Sequence, residues 1–136
     1  MRIACIKVAS RRGEALPAGD RLVKGMIAAG HLVDVFDAWV DDGLRLPGYE
    51  YVVVVARSTS FFGGKMPEAL AKLLKTASSL VGKKAAAFFV KTSPFGTVKG
   101  LRNLMATMER EGMFINWSEI ILGEDHAETL GKKIGS

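Results

Sequence analysis

The residues that could do covalent chemistry are few, and their placement argues against it. Ser10, Ser58, Ser60 and Ser93 all fall in turns at the carboxyl ends of strand-like runs. A hydrolase or transferase built on one of them would need a neighbouring base to take the hydroxyl proton. Neither histidine is well placed to do so. His31 opens a strand-like run at the opposite end, His126 falls in the first turn of the last helix, and both read as surface residues. Serines also collect in turns for local hydrogen-bonding reasons. Cys5 sits among apolar neighbours in Ile3-Ala4-Cys5-Ile6 and reads as a packing thiol. The segment ASRRGEA at 9–15 lacks the Gly-x-Gly-x-x-Gly of a dinucleotide site, and no Walker loop or zinc spacing occurs. What remains is the chemistry of binding, and the turn from Arg57 to Gly64 is the first place to look for it.

That turn is positioned by the run before it. Tyr51 to Ala56 is apolar at every position and contains four consecutive valines. A strand of this kind has both faces covered, as at the centre of a parallel sheet. Its shortness and β-branching favour strand over buried helix. In open α/β sheets, ligands sit at the carboxyl ends of such strands. A helix resumes at Met66-Pro67, with proline tolerated in its first turn, and runs to Ser79.

The same alternation runs along the whole chain. Strands are expected at 2–9, 31–36, 83–90 and 114–122, and helices at 17–29, 97–112 and 124–134. The run at 31–36 is more alternating, as suits a sheet edge. Residues 37–50, with Asp41-Asp42-Gly43 and Pro47-Gly48, read as a loop where a second helix could stand. The pattern predicts an α/β fold: a three-layer α/β/α sandwich around a five-stranded parallel sheet, as a single domain over 1–136.

Composition narrows the function classes. The chain has 136 residues, 49% hydrophobic and 24% charged, enough to bury one core. No apolar run approaches the roughly 20 residues that span a bilayer, so no membrane segment is expected. No cleavage pattern follows Met1-Arg2. The single cysteine fits a reducing compartment, and the expected location is cytoplasmic. The net charge of +5 is spread along the chain without a basic block, so nucleic acid is not an expected partner. Trp39, Trp117 and the helix methionines read as packing residues.

Three stretches carry a resemblance. Ala29 to Asp37, AGHLVDVFD, looks like a turn into a second strand. Ser58-Thr59-Ser60-Phe61-Phe62-Gly63, followed by Lys65 to Leu70, is similar to a Ser-Pro-Thr-Tyr-Phe-Gly turn and its helix. Gly82 to Phe89, then Thr92-Ser93-Pro94-Phe95-Gly96, resembles a fourth strand and its ligand-side loop. Together they resemble the flavodoxin and flavin-reductase superfamily over the whole chain. That resemblance implies the strand order 2-1-3-4-5, for which flavodoxin is the standard example, with FMN at the junction of strands one and three. It implies that Phe61, Phe62 or Phe95 offers an apolar plane to the flavin ring. Backbone N–H groups at Ser58–Gly63 and Thr92–Gly96 would bond the ring's edge, with Gly63 and Gly96 permitting close approach.

The phosphate end departs from the family. Its loop is roughly Ser/Thr-x-Thr-Gly-x-Thr, and the matching segment here is Ser10-Arg11-Arg12-Gly13-Glu14-Ala15. Ser10 and Gly13 remain, Arg12 and Ala15 replace hydroxyls, and Glu14 puts a negative charge where a dianion would sit. Arg57 stands where the family usually has glycine, and Pro17 delays the next helix. Two readings follow. In the first, Arg11 and Arg12 replace hydroxyls as phosphate ligands in an FMN-binding electron-transfer protein or small FMN-dependent oxidoreductase. Its counterpart would be a redox partner protein or a small substrate, and a homodimer is compatible with the family. In the second, the fold has lost FMN and serves as a partner-binding, regulatory or other-ligand module.

Overall fold

The computed structural model describes residues 1–58 and 66–135. Its elements are β1 (Arg2–Val8), α1 (Pro17–Ala28), β2 (Leu32–Asp37), β3 (Tyr51–Ala56), α2 (Glu68–Thr76), β4 (Lys84–Val90), α3 (Thr97–Glu109), β5 (Phe114–Ile121) and α4 (Glu124–Lys133). The strands form one parallel sheet in the order β2-β1-β3-β4-β5. This is the order the resemblance implies. Among the described residues, no helix is long and apolar enough to cross a membrane.

All six residues of β3 are buried, and they divide by parity between two cores. Tyr51, Val53 and Val55 face α1 and α4, with Leu22, Met26 and Leu130. Val52, Val54 and Ala56 face α2 and α3, with Leu70, Leu74 and Leu104. The period-2 geometry of a strand makes an all-apolar run a two-sided one. At the sheet's margin β2 is more exposed, as its alternation predicts.

Residues 38–50 form no helix, as expected, yet they bury Ala38, Leu44, Leu46 and Tyr49 in the core on the α2 side. The Lys83 ammonium ties this loop to the start of β4 by donating to the carbonyls of Leu46 (3.1 Å) and Tyr49 (2.9 Å). The Tyr49 hydroxyl donates to Asp34 at 2.6 Å, and Arg2 lies over the Tyr49 ring.

Helix boundaries differ in places. α2 spans Glu68–Thr76 rather than 66–79. Pro67 is extended (φ −60°, ψ 139°) and precedes the first turn. At the other end Ala77 turns extended, and the Ser78 N–H donates to Leu44 O at 2.9 Å, so the loop draws the chain out of the helix. α3 ends at Glu109, three residues before the left-handed Gly112.

α1 and α4 pack unusually closely, because each presents a glycine to the other. A Cβ at Gly25 would lie 2.1 Å from Glu128 O, and one at Gly131 would lie 2.2 Å from Leu22 O. Arg21 clamps the same pair by donating to Glu128 (2.9 Å) and Asp125 (2.6 Å). Gly25→Ala is expected to destabilise the protein by about 1–3 kcal/mol in a denaturant titration, because overpacking outweighs alanine's better helix propensity. Acid should loosen the same contact. The Arg21 bond holds Glu128 below the usual carboxylate range. A carboxyl whose pKa is lower folded than unfolded stabilises at neutral pH and loses that contribution as pH falls through its lowered value. The gap in melting temperature between the native chain and Arg21→Ala should therefore narrow below about pH 4.

Candidate functional site

The carboxyl ends of β1, β3 and β4 are level with one another: Val8 pairs with Ala56, and Ala56 with Phe89. Adjacent strands lie about 4.8 Å apart, so the loops that leave them emerge side by side. The Arg57 N–H extends the β1–β3 pairing by donating to Val8 O at 3.0 Å. Of the residues expected to bind a ligand, Ser10, Ser58 and Thr92 therefore follow strand ends at one edge of the sheet.

The β1–α1 loop begins with a tight turn in which the Glu14 N–H donates to Arg11 O at 3.2 Å. Gly13 supplies the positive φ (+78°) that this turn uses. No atom would obstruct a side chain there, so the glycine answers to backbone conformation, not to space. The turn folds Glu14 back towards the strand end. The Ser10 hydroxyl and the Arg11 Nε–H each donate to its carboxylate at 2.8 Å. Arg57 approaches the same carboxylate from the end of β3, with Nη1 at 3.4 Å. The Glu14 side chain is only 21% exposed, which strengthens these contacts relative to open water. The Arg11 bond, followed by the Ser10 bond, holds the Glu14 carboxyl below its usual range.

Arg12 does not join this cluster. Its Nη1 donates to Trp39 O at 3.2 Å. It borders a groove of about 690 Å³ between residues 38–42 and α2, lined also by Trp39, Asp41, Met66 and Lys72. This groove lies where a helix between β2 and β3 would stand. Trp39 is held at its margin by donating from Nε1 to Ala9 O at 2.8 Å.

The β4–α3 loop is a self-bonded turn. The Ser93 hydroxyl accepts from the Phe95 N–H (3.2 Å) and donates to Phe95 O (2.9 Å). Thr97 Oγ1 donates to Ser93 O at 3.3 Å, and Gly96 takes a positive φ (+72°) immediately before α3. This turn leaves Phe95 53% exposed at the sheet edge, and Thr92 is exposed beside it. Ser58 is half-buried at the end of β3. Thr59, Ser60, Phe61, Phe62 and Gly63 lie outside the described residues.

The histidines are engaged elsewhere. His31 meets the Met1 amino group at 3.0 Å and Ile134 O at 2.7 Å. His126 accepts from the Leu122 N–H at 3.0 Å and faces Glu119 at 3.4 Å.

Of the loop residues read from the sequence, the structure brings Ser10 and Arg11 together and turns Arg12 away. It adds two residues that the sequence reading marked only as departures, Glu14 and Arg57. The spacing of Arg11 and Glu14, three apart with opposite charge, was the available signal for their pairing. Arg57 had no local signal, because only the β1–β3 register brings it to the loop. The donor set of one hydroxyl and two guanidiniums is that of an oxyanion site, and a carboxylate of the chain itself fills it. If the pairing governs Glu14, its carboxyl carbon, followed by NMR in a pH titration, will titrate below the usual range. In Arg11→Ala the midpoint will move up towards an ordinary glutamate.

No family model and no curated protein matches this sequence. Solved structures do match its fold. Flavodoxin 1 from Bacillus cereus is 18% identical, with 99% of this chain and 95% of that chain covered at a TM-score of 0.69. A flavodoxin from the domain Archaea is 17% identical, with 98% and 96% covered at a TM-score of 0.66. General stress protein 14 from Treponema denticola, solved in complex with FMN, is 10% identical, with 96% and 91% covered at a TM-score of 0.56. The chain has a flavodoxin-like fold.

Proposed function

We propose that this chain binds a flavin, FMN in the first instance, across the carboxyl edge of β1, β3 and β4. The observation that carries this reading is the oxyanion site of Ser10, Arg11 and Arg57. It lies two strands from the loop that presents Phe95. In this arrangement Ser10 and the guanidiniums, which hold Glu14, mark the phosphate end, and Phe95 offers an apolar plane to the ring. Gly96 lets backbone approach the ring's edge. Bound flavin supplies one- or two-electron redox chemistry; the protein positions it and tunes its electronics. Electron transfer or small flavin-dependent redox catalysis is the activity such a site serves. The fold it shares with FMN-bound general stress protein 14 supports the reading. A net charge of +5 suits an anionic ligand or an acidic partner.

A second reading has an observation of its own. Glu14 already satisfies the donors that a phosphate would use. A chain that fills its own anion site could be a flavodoxin-fold module that has lost FMN and binds a partner or another ligand.

Titration with FMN separates the two. Flavin fluorescence should be quenched and saturate near one equivalent. Phe95→Ala should weaken binding roughly tenfold, the loss of the ring's apolar plane. Absence of any response up to roughly millimolar FMN, less than about 4 kcal/mol of binding, would leave the second reading.

A further inference from the structure

The Glu14 contacts bear on which flavins this edge would take, an inference that rests on the flavin reading above. Two guanidiniums face one carboxylate, leaving one net positive charge in the cluster. A phosphate dianion entering beside Glu14 would reverse that sign. It must therefore expel the carboxylate or accept a like charge within a few ångströms. Expulsion is opposed by two bonds of 2.8 Å and by the tether itself. Glu14 is four residues from Ser10 and three from Arg11, in a closed turn, so its effective concentration at the site is high. Arg12, the third guanidinium of the loop, offers no compensation because it is committed to Trp39 O.

We infer that Glu14 is the specificity-determining residue of this edge: its carboxylate stands in for a ligand phosphate, so the chain gains little affinity from the phosphate of FMN. The ligand class is then defined by the flavin ring, phosphorylated or not. Riboflavin and FMN bind alike, and neutralising Glu14 converts the edge into one that selects the phosphorylated form.

The test compares riboflavin and FMN on the native chain and on Glu14→Gln, reading fluorescence quenching. The native chain should bind the two within about threefold of each other. Glu14→Gln should prefer FMN by about tenfold or more, which is about 1.4 kcal/mol of recovered phosphate binding. Glu14→Ala should act in the same direction, because glutamine could keep the Ser10 bond. A native preference for FMN above tenfold, or a ratio unchanged in both variants, overturns the inference. A second arm needs no flavin. Inorganic phosphate at millimolar concentration, against chloride at equal ionic strength, should raise the melting temperature of Glu14→Gln but not of the native chain. Equal shifts in both proteins, or none in either, would overturn the role of Glu14. If neither flavin binds either protein, the flavin reading fails, and the phosphate arm alone decides whether Glu14 occupies an anion site.

Discussion

The structure depends on the two-sided burial of its central strands. β3 is buried along its whole length, and β1 and β4 flank it with nearly continuous apolar runs. Such strands persist only when helices cover both faces and neighbours satisfy both edges. The faces are therefore closed to ligands, which leaves the ends of the strands. At the carboxyl ends, loops leave three adjacent strands at the same level. Burial in the sheet thus dictates where binding can occur, before any loop residue is considered.

The same constraint explains the loop at 38–50. β2 and β3 lie on opposite sides of β1, so their connection must cross the sheet and cover it. Here a loop does so with Leu44, Leu46 and Tyr49, pinned by Lys83 and Asp34. It covers less than a helix would, and the groove beside Trp39 is what remains. Arg12 borders that groove, donates to Trp39 O and stays apart from the oxyanion cluster.

The fold was legible in the sequence because its signals are local and strong. The runs at 51–56 and 83–90 read as strands without outside help. The strand order was not in the periodicity; it came from the resemblance of the stretches at 29–37, 58–70 and 82–96. The α2 boundaries escaped because Ser78 answers to Leu44, far away in the chain. The site was legible in location more than in composition. Ser10 and Arg11 were named from their loop. Arg57 reaches the same carboxylate only through strand register, and Arg12 leaves it for a tryptophan carbonyl. Side-chain partners of this kind depend on tertiary approach, which one-dimensional spacing does not encode.

The proposed flavin site places the ring on the carboxyl edge of β3 and β4. A crystal structure of the protein grown with FMN tests it most directly. The ring is expected against Phe95, beside the loop that ends at Gly96. A ring seated in the groove between Trp39 and Lys72 would contradict it, because the flavin would then occupy the gap left by the short connector and not the strand ends.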